Sequence, residues 1–508
     1  MIKIGPKRQL FLDDHLIGRM DNVYRVLHQP VKHPENPILV PEYPWEGTGA
    51  SPHMVIYDEE EGIYKLWYTS FGVHDSLPGF EDLSKVAGIH GKNSVEAAGL
   101  DIRQRKDGPL NVYSHCYATS TDGVHFEKPP LGLAPFPGSD EKTNLCPRKP
   151  ALYDPHDPDP QKRFKAVMGT GDSSDRMGIS WSPDGLHWTD HPDNPVLDKG
   201  LGAGRVIWEE RLNEYVGYFR PMPWLVYPER GSRGIRVLGR CTSTDFVQWT
   251  LPQDDVVLVP DDQDDMGVEF YNMPFFKYED WYIGFLWIYY NYTHTGNTDP
   301  ESGGRPSDAE GLDKLMDSQL AFTRDGHDWT RVCDRQLFMA CGKPGAWDEM
   351  EIHPTSMIER DGELKIYYSG TIRGHGQRLS RVTETIVEGR EVTGAVGLAT
   401  LRLDGFVSVN AGEDVGELMT RPFDLSSGEK VFINARAPRG SVAVEVLDQY
   451  AEPLQGYGRE DAIAFTGDAI DQELQWKERS GLQGMDGSPI RLRFVMKDAE
   501  LYSFRIGF

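Results

Sequence analysis

The sequence predicts an all-β fold, a five-bladed β-propeller followed by a small C-terminal β-sandwich. Glycine, proline and aromatic residues are abundant, which favours short strands joined by many turns. A turn motif recurs in phase along most of the chain, and apolar and polar residues go on alternating after the motif ends. We therefore expect the propeller over residues 1–412 and the sandwich over residues 413–508.

The recurring motif consists of a small polar residue, an aspartate, usually a glycine, and then an aromatic residue. Asp-Gly between two apolar runs indicates a β-hairpin, because glycine accepts a positive φ and aspartate hydrogen-bonds its own backbone. Four copies are clear and the fifth is degraded: "TSTDGVHFEKP" (119–129), "SWSPDGLHWTDH" (180–191), "TSTDFVQWTLP" (242–252), "FTRDGHDWTRV" (322–332) and "LRLDGFVSV" (401–409).

A pair of strand-like runs precedes each copy of the motif, so each repeat reads as a unit of four strands. Examples are "PHMVIYDEEEGIYKLWYTS" (52–70) and "RVIWEERLNEYVGYF" (205–219). Five such units in sequence are typical of a five-bladed propeller. The N-terminal "RQLFLDDHLIGRM" (8–20) reads as a strand that either braces the propeller or closes a blade.

The charge of the chain excludes several classes of partner. Acidic residues outnumber basic ones 79 to 53, for a net charge of −26, which repels phosphate backbones and anionic lipid surfaces. We expect no nucleic acid and no membrane as partner. The opening "MIKIGPKRQLF" lacks the apolar core of a secretory signal, which predicts a cytoplasmic protein. Homo-oligomerisation stays open.

The five cysteines are scattered, odd in number and without CxxC spacing, which argues against a disulfide framework and against a zinc site. We expect no cofactor, although a structural divalent cation in the central channel stays open.

The functional site is expected at one mouth of the propeller channel, where the first strand of each blade begins. The loops between second and third strands open on the same face and are long, which is typical of functional loops. They span residues 71–110, 220–235, 291–317 and 371–392.

Carboxylates stand at the openings of several first strands. Glu269 precedes Asn272 and Pro274 in blade four, and Glu351 precedes His353 and Pro354 in blade five, in nearly matching frames. Hydrolysis of a glycosidic bond needs two carboxyl groups, one protonated and one ionised.

Two like charges close together in a partly dry channel raise one pKa and so supply the acid. Glu269 and Glu351 are the expected pair, with their roles open. Glu46 of blade one and Asp14, next to Asp13, are held in reserve, and each of these acids could instead be a solvated or capping residue. The candidates for substrate binding are His53, Asn272, Tyr271, His353, Arg205, Trp45 and Glu349.

These hairpins and blade openings, such as "NPILVPEYPWE" (36–46), resemble the five-bladed β-propeller glycoside hydrolases of families 32 and 43, the invertase- and arabinanase-like superfamily. The resemblance covers about residues 1–412. The chain lacks the Asn-Asp-Pro-Asn-Gly, Arg-Asp-Pro and Glu-Cys motifs of the invertase type at matching positions, so no residue can be carried over one for one.

The resemblance implies a glycoside hydrolase that acts on an oligosaccharide or a furanoside-type linkage in carbohydrate metabolism or polysaccharide degradation. Two alternatives stay open. A glycoside phosphorylase would need Arg205, Arg220 and His53 to converge beside Glu269. A non-catalytic glycan-binding propeller would depend on aromatic residues and not on the two glutamates.

Overall fold

The protein is all-β, as the sequence predicts. The computed structural model describes all residues except 1, 75–93, 98–99, 105–109, 137–140, 156, 170–175, 198–200, 222–223, 231–233, 293–313, 376–385, 388–389 and 486–487. In the described part, the short 3-10 turns are Pro44–Glu46, Pro160–Lys162, Pro228–Arg230 and Cys333–Arg335. No helix in that part has the length and apolar character needed to cross a bilayer.

Five strand sets follow one another along the described chain, each antiparallel within itself. Set one comprises Gly49–Asp58, Ile63–His74, Ser94–Ala97, Leu100–Gln104 and Leu110–Ser120. Set two comprises Leu152–Tyr153, Phe164–Gly169, Met177–Ser182 and Thr189–Asp190. Set three comprises Leu201–Glu209, Glu214–Pro221, Leu238–Ser243 and Val256–Leu258. Set four comprises Val268–Asn272, Phe275–Tyr278, Trp281–Tyr290, Met316–Thr323, Thr330–Arg331 and Leu337–Met339. Set five comprises Glu351–Arg360, Glu363–Thr371, Gly394–Arg402 and, from far upstream, Val31–Lys32. Two small hairpins pair Leu225–Val226 with Gly234–Ile235 and Ile386–Val387 with Arg390–Glu391.

Each set packs against the next through its own apolar cluster, and the order closes on itself. The clusters lie between sets one and two, two and three, three and four, four and five, and five and one. The last of these joins Tyr68 of set one to Tyr367 and Leu398 of set five. The burial of large apolar faces on both sides of every set stabilises this cyclic arrangement.

The predicted Asp-Gly hairpins form by one local mechanism. The Oδ1 atom of Asp122 accepts hydrogen bonds from the backbone N–H groups of Val124 and His125 at 2.8 and 2.9 Å. Asp184, Asp245 and Asp325 do the same at the equivalent turns. The following residue has a positive φ in each turn, including Phe246, where the motif lacks glycine.

The fifth copy of the motif departs from the prediction. The strand after Asp404, Val407–Ala411, does not pair back onto Gly394–Arg402 but onto Val23–Leu27 and Ala499–Gly507. Val31–Lys32 pairs with Gly394–Arg402 instead. The N-terminal segment Val31–Lys32 therefore takes the place of the fourth strand of set five.

A second sheet joins the two ends of the chain. Its strands are Ile2–Ile4, Gln9–Leu10, Ile17–Asp21, Val23–Leu27, Val407–Ala411, Gly416–Thr420, Phe423–Leu425, Lys430–Asp448, Phe465–Leu474, Ile490–Lys497 and Ala499–Gly507. They enclose a separate apolar core that includes Phe11, Phe423 and Phe494. The segment 8–20 was expected to brace the propeller or to close a blade, and its strands belong to this second sheet.

Candidate active site

The strand register shows how the first strands of neighbouring sets are aligned along their length. Glu351 pairs with Thr371, Thr371 with Gly394, and Gly394 with Gly49, so sets five and one open at one level. Met316 of set four pairs with Glu351 across the neighbouring set boundary. We call the region where these openings meet the central site.

Glu351 lies in the central site, and among the described residues no lysine or arginine forms an ion pair with it. Its side chain faces two imidazoles, with Nε2 of His353 at 3.6 Å and Nδ1 of His375 at 3.8 Å from the carboxyl oxygens. The residue is 7% exposed, and burial raises the pKa of Glu351 to about 8. Burial also lowers the pKa of His353 to about 3 and that of His375 to about 4. At neutral pH an uncharged carboxylic acid therefore sits between two uncharged imidazoles.

Glu269 has the opposite environment. It is 2% exposed, and its Oε2 accepts a hydrogen bond from Nη1 of Arg236 at 2.6 Å and one from the Arg236 backbone N–H at 3.2 Å. Its Oε1 accepts a hydrogen bond from Nδ2 of Asn291 at 2.6 Å. A guanidinium and an amide donor thus stabilise the ionised form of this carboxylate.

Aromatic rings connect the two carboxyl groups. His353 stacks on Trp287 with ring centroids 4.3 Å apart, and Tyr271 lies parallel to His353 at 6.3 Å. The hydroxyl of Tyr271 is 3.4 Å from Nε2 of His375. Tyr289, which pairs with Glu269 across the sheet, packs edge-on against the same His375. Glu269 and Glu351 therefore share one aromatic wall.

Arginines of set three cover the other side of that wall. The guanidinium of Arg220 lies 4.4 Å from the ring centroid of Tyr271, and that of Arg236 lies 4.1 Å from Trp224 and 4.9 Å from Tyr289. Burial lowers the pKa of Arg220. Nε atoms of both arginines are buried without a hydrogen-bond partner in the structure.

His53 and Arg205 meet on the set one to set three side of the central site. Nη1 of Arg205 donates a hydrogen bond to the backbone carbonyl of His53 at 3.0 Å. Both side chains keep partial exposure although protein surrounds them, and burial lowers the pKa of Arg205 to about 10. The structure thus brings these two predicted residues together, and among the described residues neither contacts Glu351.

Glu46 and Trp45 lie in the core between sets one and five and not beside Glu351. Glu46 is fully buried and accepts hydrogen bonds from the backbone N–H of Tyr43 at 2.9 Å, from Nζ of Lys128 at 2.9 Å and from the Tyr68 hydroxyl. Trp45 donates its indole N–H to Asn144 at 2.8 Å. Both carboxylate oxygens of Glu46 are thus engaged by donors of its own core, and the structure does not bring Glu46 together with Glu351.

Asp14 and Asp13 lie away from the central site. Asp14 pairs with Arg25 at 2.5 Å, and Asp13 pairs with Arg324 at 3.0 Å. Arg324 follows Met316–Thr323 at the end opposite to Glu351, and at about 3.3 Å per residue these ends are about 25 Å apart. The structure therefore does not bring Asp14 together with Glu351.

Two further candidates serve their own loops. The amide oxygen of Asn272 accepts a hydrogen bond from the backbone N–H of Met273 at 2.8 Å. Glu349 accepts one from the backbone N–H of Gly345. The acidic run before Glu351 is thus divided: Asp348 pairs with Lys32 at 2.7 Å, Glu349 closes a turn, and Glu351 enters the site.

The sequence suggests that Glu269 and Glu351 occupy nearly matching positions in their strands, and the structure shows that they do not. A one-residue bulge interrupts the first strand at Tyr271 in set four and at Thr355 in set five. Counted from these bulges, Glu269 is equivalent to His353, and Glu351 lies one pleat nearer the opening. The two carboxyl groups therefore occupy different levels of the central site.

Sequence reasoning missed several side chains that complete the site. Asn291, Lys314 and His375 come from the predicted long loops, which lie partly outside the described residues, and nothing in their local sequence marked them. Arg236 was not among the predicted site residues. In the described ranges no group of three or more His, Cys, Asp or Glu side chains is arranged to hold a metal ion.

Comparisons with known proteins give only distant likeness. No protein-family model matches the chain, and no curated protein matches it. A structure titled "Glycoside hydrolase" is 13% identical, with 74% of this chain and 92% of that chain covered and a TM-score of 0.44. A glycosyl hydrolase from Bacteroides ovatus is 14% identical over 74% and 94% of the chains, with a TM-score of 0.43. A fructofuranosidase from Schwanniomyces occidentalis complexed with fructosylnystose is 12% identical over 94% and 98%, with a TM-score of 0.39. These enzymes belong to the class that the sequence resemblance indicates. Because the identities and TM-scores are low, the function proposed below is based on the residues of this chain.

Proposed function

We propose that this protein is a glycoside hydrolase whose two carboxyl groups are Glu351 and Glu269. The observation that carries the proposal is their difference in environment within one site. Glu351 is held protonated by burial, with a pKa of about 8, while Glu269 is paired with the guanidinium of Arg236 and accepts a hydrogen bond from Asn291. Two carboxyl groups whose surroundings favour opposite protonation states are what glycosidic hydrolysis requires.

Glu351 is the general acid in this proposal. Its proton passes to the glycosidic oxygen as the bond to the anomeric carbon breaks, and the departing alcohol keeps it. His353 and His375 are uncharged at neutral pH and contact Glu351 without competing for its proton.

Glu269 is the ionised partner. It either attacks the anomeric carbon or removes a proton from the attacking water, and the positive charge that develops on the sugar ring is stabilised by its carboxylate. Asn291 and Arg236 fix the position of its two oxygens.

The aromatic wall supports a sugar substrate. Tyr271 and Trp287 present parallel ring faces at 6.3 Å, and apolar ring faces pack against the C–H surfaces of sugars. We propose an oligosaccharide as the substrate that this wall positions.

The fold supports the same proposal. We propose that the five strand sets are the blades of a five-bladed propeller, because their apolar clusters close a cycle. The second sheet then forms the C-terminal sandwich, with Ile2–Leu10 and Ile17–Leu27 added to it. The expected division at residue 412 shifts slightly in this proposal, since Val407–Ala411 belongs to the second sheet.

Aryl glycosides with leaving groups of different acidity test the proposal. Glu351→Gln should lose hydrolysis of substrates with poor leaving groups and keep much of it for a dinitrophenyl glycoside, which needs no proton. Glu269→Gln should lose both. Glu349→Gln, two residues before Glu351 and engaged in its own turn, is the matched control and should behave as the wild type.

Equal losses for all leaving groups in Glu351→Gln would contradict its role as the acid. If the wild type releases no sugar from any glycoside but binds oligosaccharides, the protein is a binding module instead.

A further inference from the structure

Four basic side chains meet on the wall of the central site opposite Glu351. They are His53 and His115 of set one, Lys149 just before set two, and Arg205 of set three. The pKa of His53 is lowered well below its usual value by burial first and then by the other three residues, Lys149, Arg205 and His115. We call these four residues the basic wall.

No carboxylate lies within ion-pairing distance of the basic wall among the described residues. The contacts recorded there for Lys149 and Arg205 are Thr69 Oγ1 at 3.4 Å, the carbonyl of His53 at 3.0 Å and the ring of Phe276. Nδ1 of His115 is buried without a hydrogen-bond partner.

Three other enclosed cations of this chain have carboxylate partners. Lys128 pairs with Glu46 at 2.9 Å, Lys165 with Asp157 at 2.5 Å, and Arg331 with Asp264 at 2.7 Å. In a chain of net charge −26 acids are in excess, and the lack of a carboxylate at the basic wall distinguishes it from these three cations. Enclosed cations without counter-charge cost free energy, which an anionic ligand would offset.

Strand register places the basic wall close to the proposed catalytic level. Lys149 contacts Thr69, which pairs with both Ser51 and His115. Ser51 is two residues below Gly49, the residue at the level of Glu351. At about 3.3 Å per residue, Lys149 Nζ lies about 7 Å deeper along the strands than the Glu351 backbone. Along the strands, the basic wall and Glu351 are therefore only about two residues apart in level.

We propose that the basic wall binds an oxyanion, with Lys149 and Arg205 as its cationic contacts and His115 as an additional donor or acceptor. The location of the oxyanion site follows from the structure alone, whereas its part in turnover rests on the proposed glycosidase function. The anion has two chemical sources. It is either a carboxylate, sulfate or phosphate substituent of the sugar substrate, or inorganic phosphate that replaces water.

The second source changes the reaction but keeps its balance. A phosphate oxygen forms the new bond to the anomeric carbon as the glycosidic C–O bond breaks, and the leaving oxygen takes the proton of Glu351. The products are a sugar 1-phosphate and a free alcohol. This arm needs phosphate as co-substrate and no oxidant or reductant.

Binding should also take up protons. Burial lowers the pKa of Lys149 to about 8, and a bound anion favours the charged ammonium. Near pH 8 the calorimetric enthalpy of anion binding should therefore depend on the ionisation enthalpy of the buffer, a signature that a merely structural lysine would not give.

Isothermal titration calorimetry on the full chain tests the proposal, with inorganic phosphate, inorganic sulfate, glucuronic acid and glucose as separate probes. Lys149→Met keeps the length of the side chain and removes its charge, and it should weaken anion binding about tenfold to a hundredfold, the effect of one charge-assisted hydrogen bond. Lys162→Met is the matched control, since this lysine belongs to the set-two hairpin and pairs with Asp159 at 3.6 Å. It should bind like the wild type.

The outcomes separate the sources and separate this inference from the hydrolase proposal. Phosphate binding together with phosphate-dependent turnover identifies phosphate as co-substrate, and preference for glucuronic acid over glucose without phosphate dependence identifies a substituent of the sugar. If no anion binds, or if Lys149→Met binds anions like the wild type, the basic wall is not an oxyanion site. Either result would leave the hydrolase proposal untouched, because that proposal is tested separately by the hydrolysis of neutral aryl glycosides by Glu351→Gln.

Discussion

Replacement of Glu351 by glutamine should change how the stability of the protein depends on pH. The folded-state pKa of about 8 exceeds the usual value of 4.5, so the folded protein holds this proton over a pH range in which the unfolded chain has released it. Stability therefore falls as pH rises from about 4.5 to about 8 and then levels off. Each unit of difference between the two pKa values corresponds to about 1.4 kcal/mol, so the free energy of unfolding should fall by about 5 kcal/mol in total. The Glu351→Gln protein has no such group and should escape that loss.

Urea denaturation of the two proteins side by side, from about pH 5 to about pH 9, measures this effect. All other titrating groups are shared, so the difference between the two free energies of unfolding isolates Glu351. We expect the difference to grow in favour of Glu351→Gln as pH rises. A difference that stays constant across this range would refute the raised pKa and, with it, the assignment of Glu351 as the acid. Glu349→Gln should give a curve parallel to that of the wild type.

Three further outcomes follow from the same contacts. The value of kcat/KM should fall about tenfold per pH step above about pH 8, as Glu351 loses its proton, and a rate that stays flat through that region would contradict this role. Arg236→Met should lower the free energy of unfolding by about 3–5 kcal/mol in chemical denaturation, because it leaves the carboxylate of Glu269 buried without its cation. Adding Glu269→Gln should restore part of that loss, and an additive effect would speak against direct pairing. Glu46→Gln should cost about 3 kcal/mol of stability by breaking the pair with Lys128 while the kcat of the folded fraction stays unchanged, and a loss of kcat would return Glu46 to the site.

Local features of the fold could be predicted from the sequence, and distant pairings could not. The turn at Asp122 depends on N–H groups two and three residues away, so the motif alone predicts it. The pairing of Val31–Lys32 with Gly394–Arg402 joins segments far apart in the chain, and no local pattern encodes it. For the same reason the degraded fifth motif was interpreted as a hairpin.

The candidate site shows the same limit. Glu351 and Glu269 could be singled out because carboxylates at strand openings form a visible pattern, but their difference in character comes from partners elsewhere. Arg236 lies 33 residues before Glu269. Glu46 has an equally suggestive position, and its partner Lys128 lies 82 residues further along. A pattern can thus predict where an acid stands, while only the fold decides which cation faces it.

The separation of charge in the central site depends on His375. Arg236, Arg220 and Lys314 act with burial to lower the pKa of this imidazole to about 4. At neutral pH His375 therefore presents an uncharged ring to Glu351 at 3.8 Å. A protonated imidazole there would stabilise the Glu351 carboxylate and remove its proton at neutral pH. Arg236, which pairs with Glu269, thus also acts, after burial, to lower the pKa of the histidine that faces Glu351.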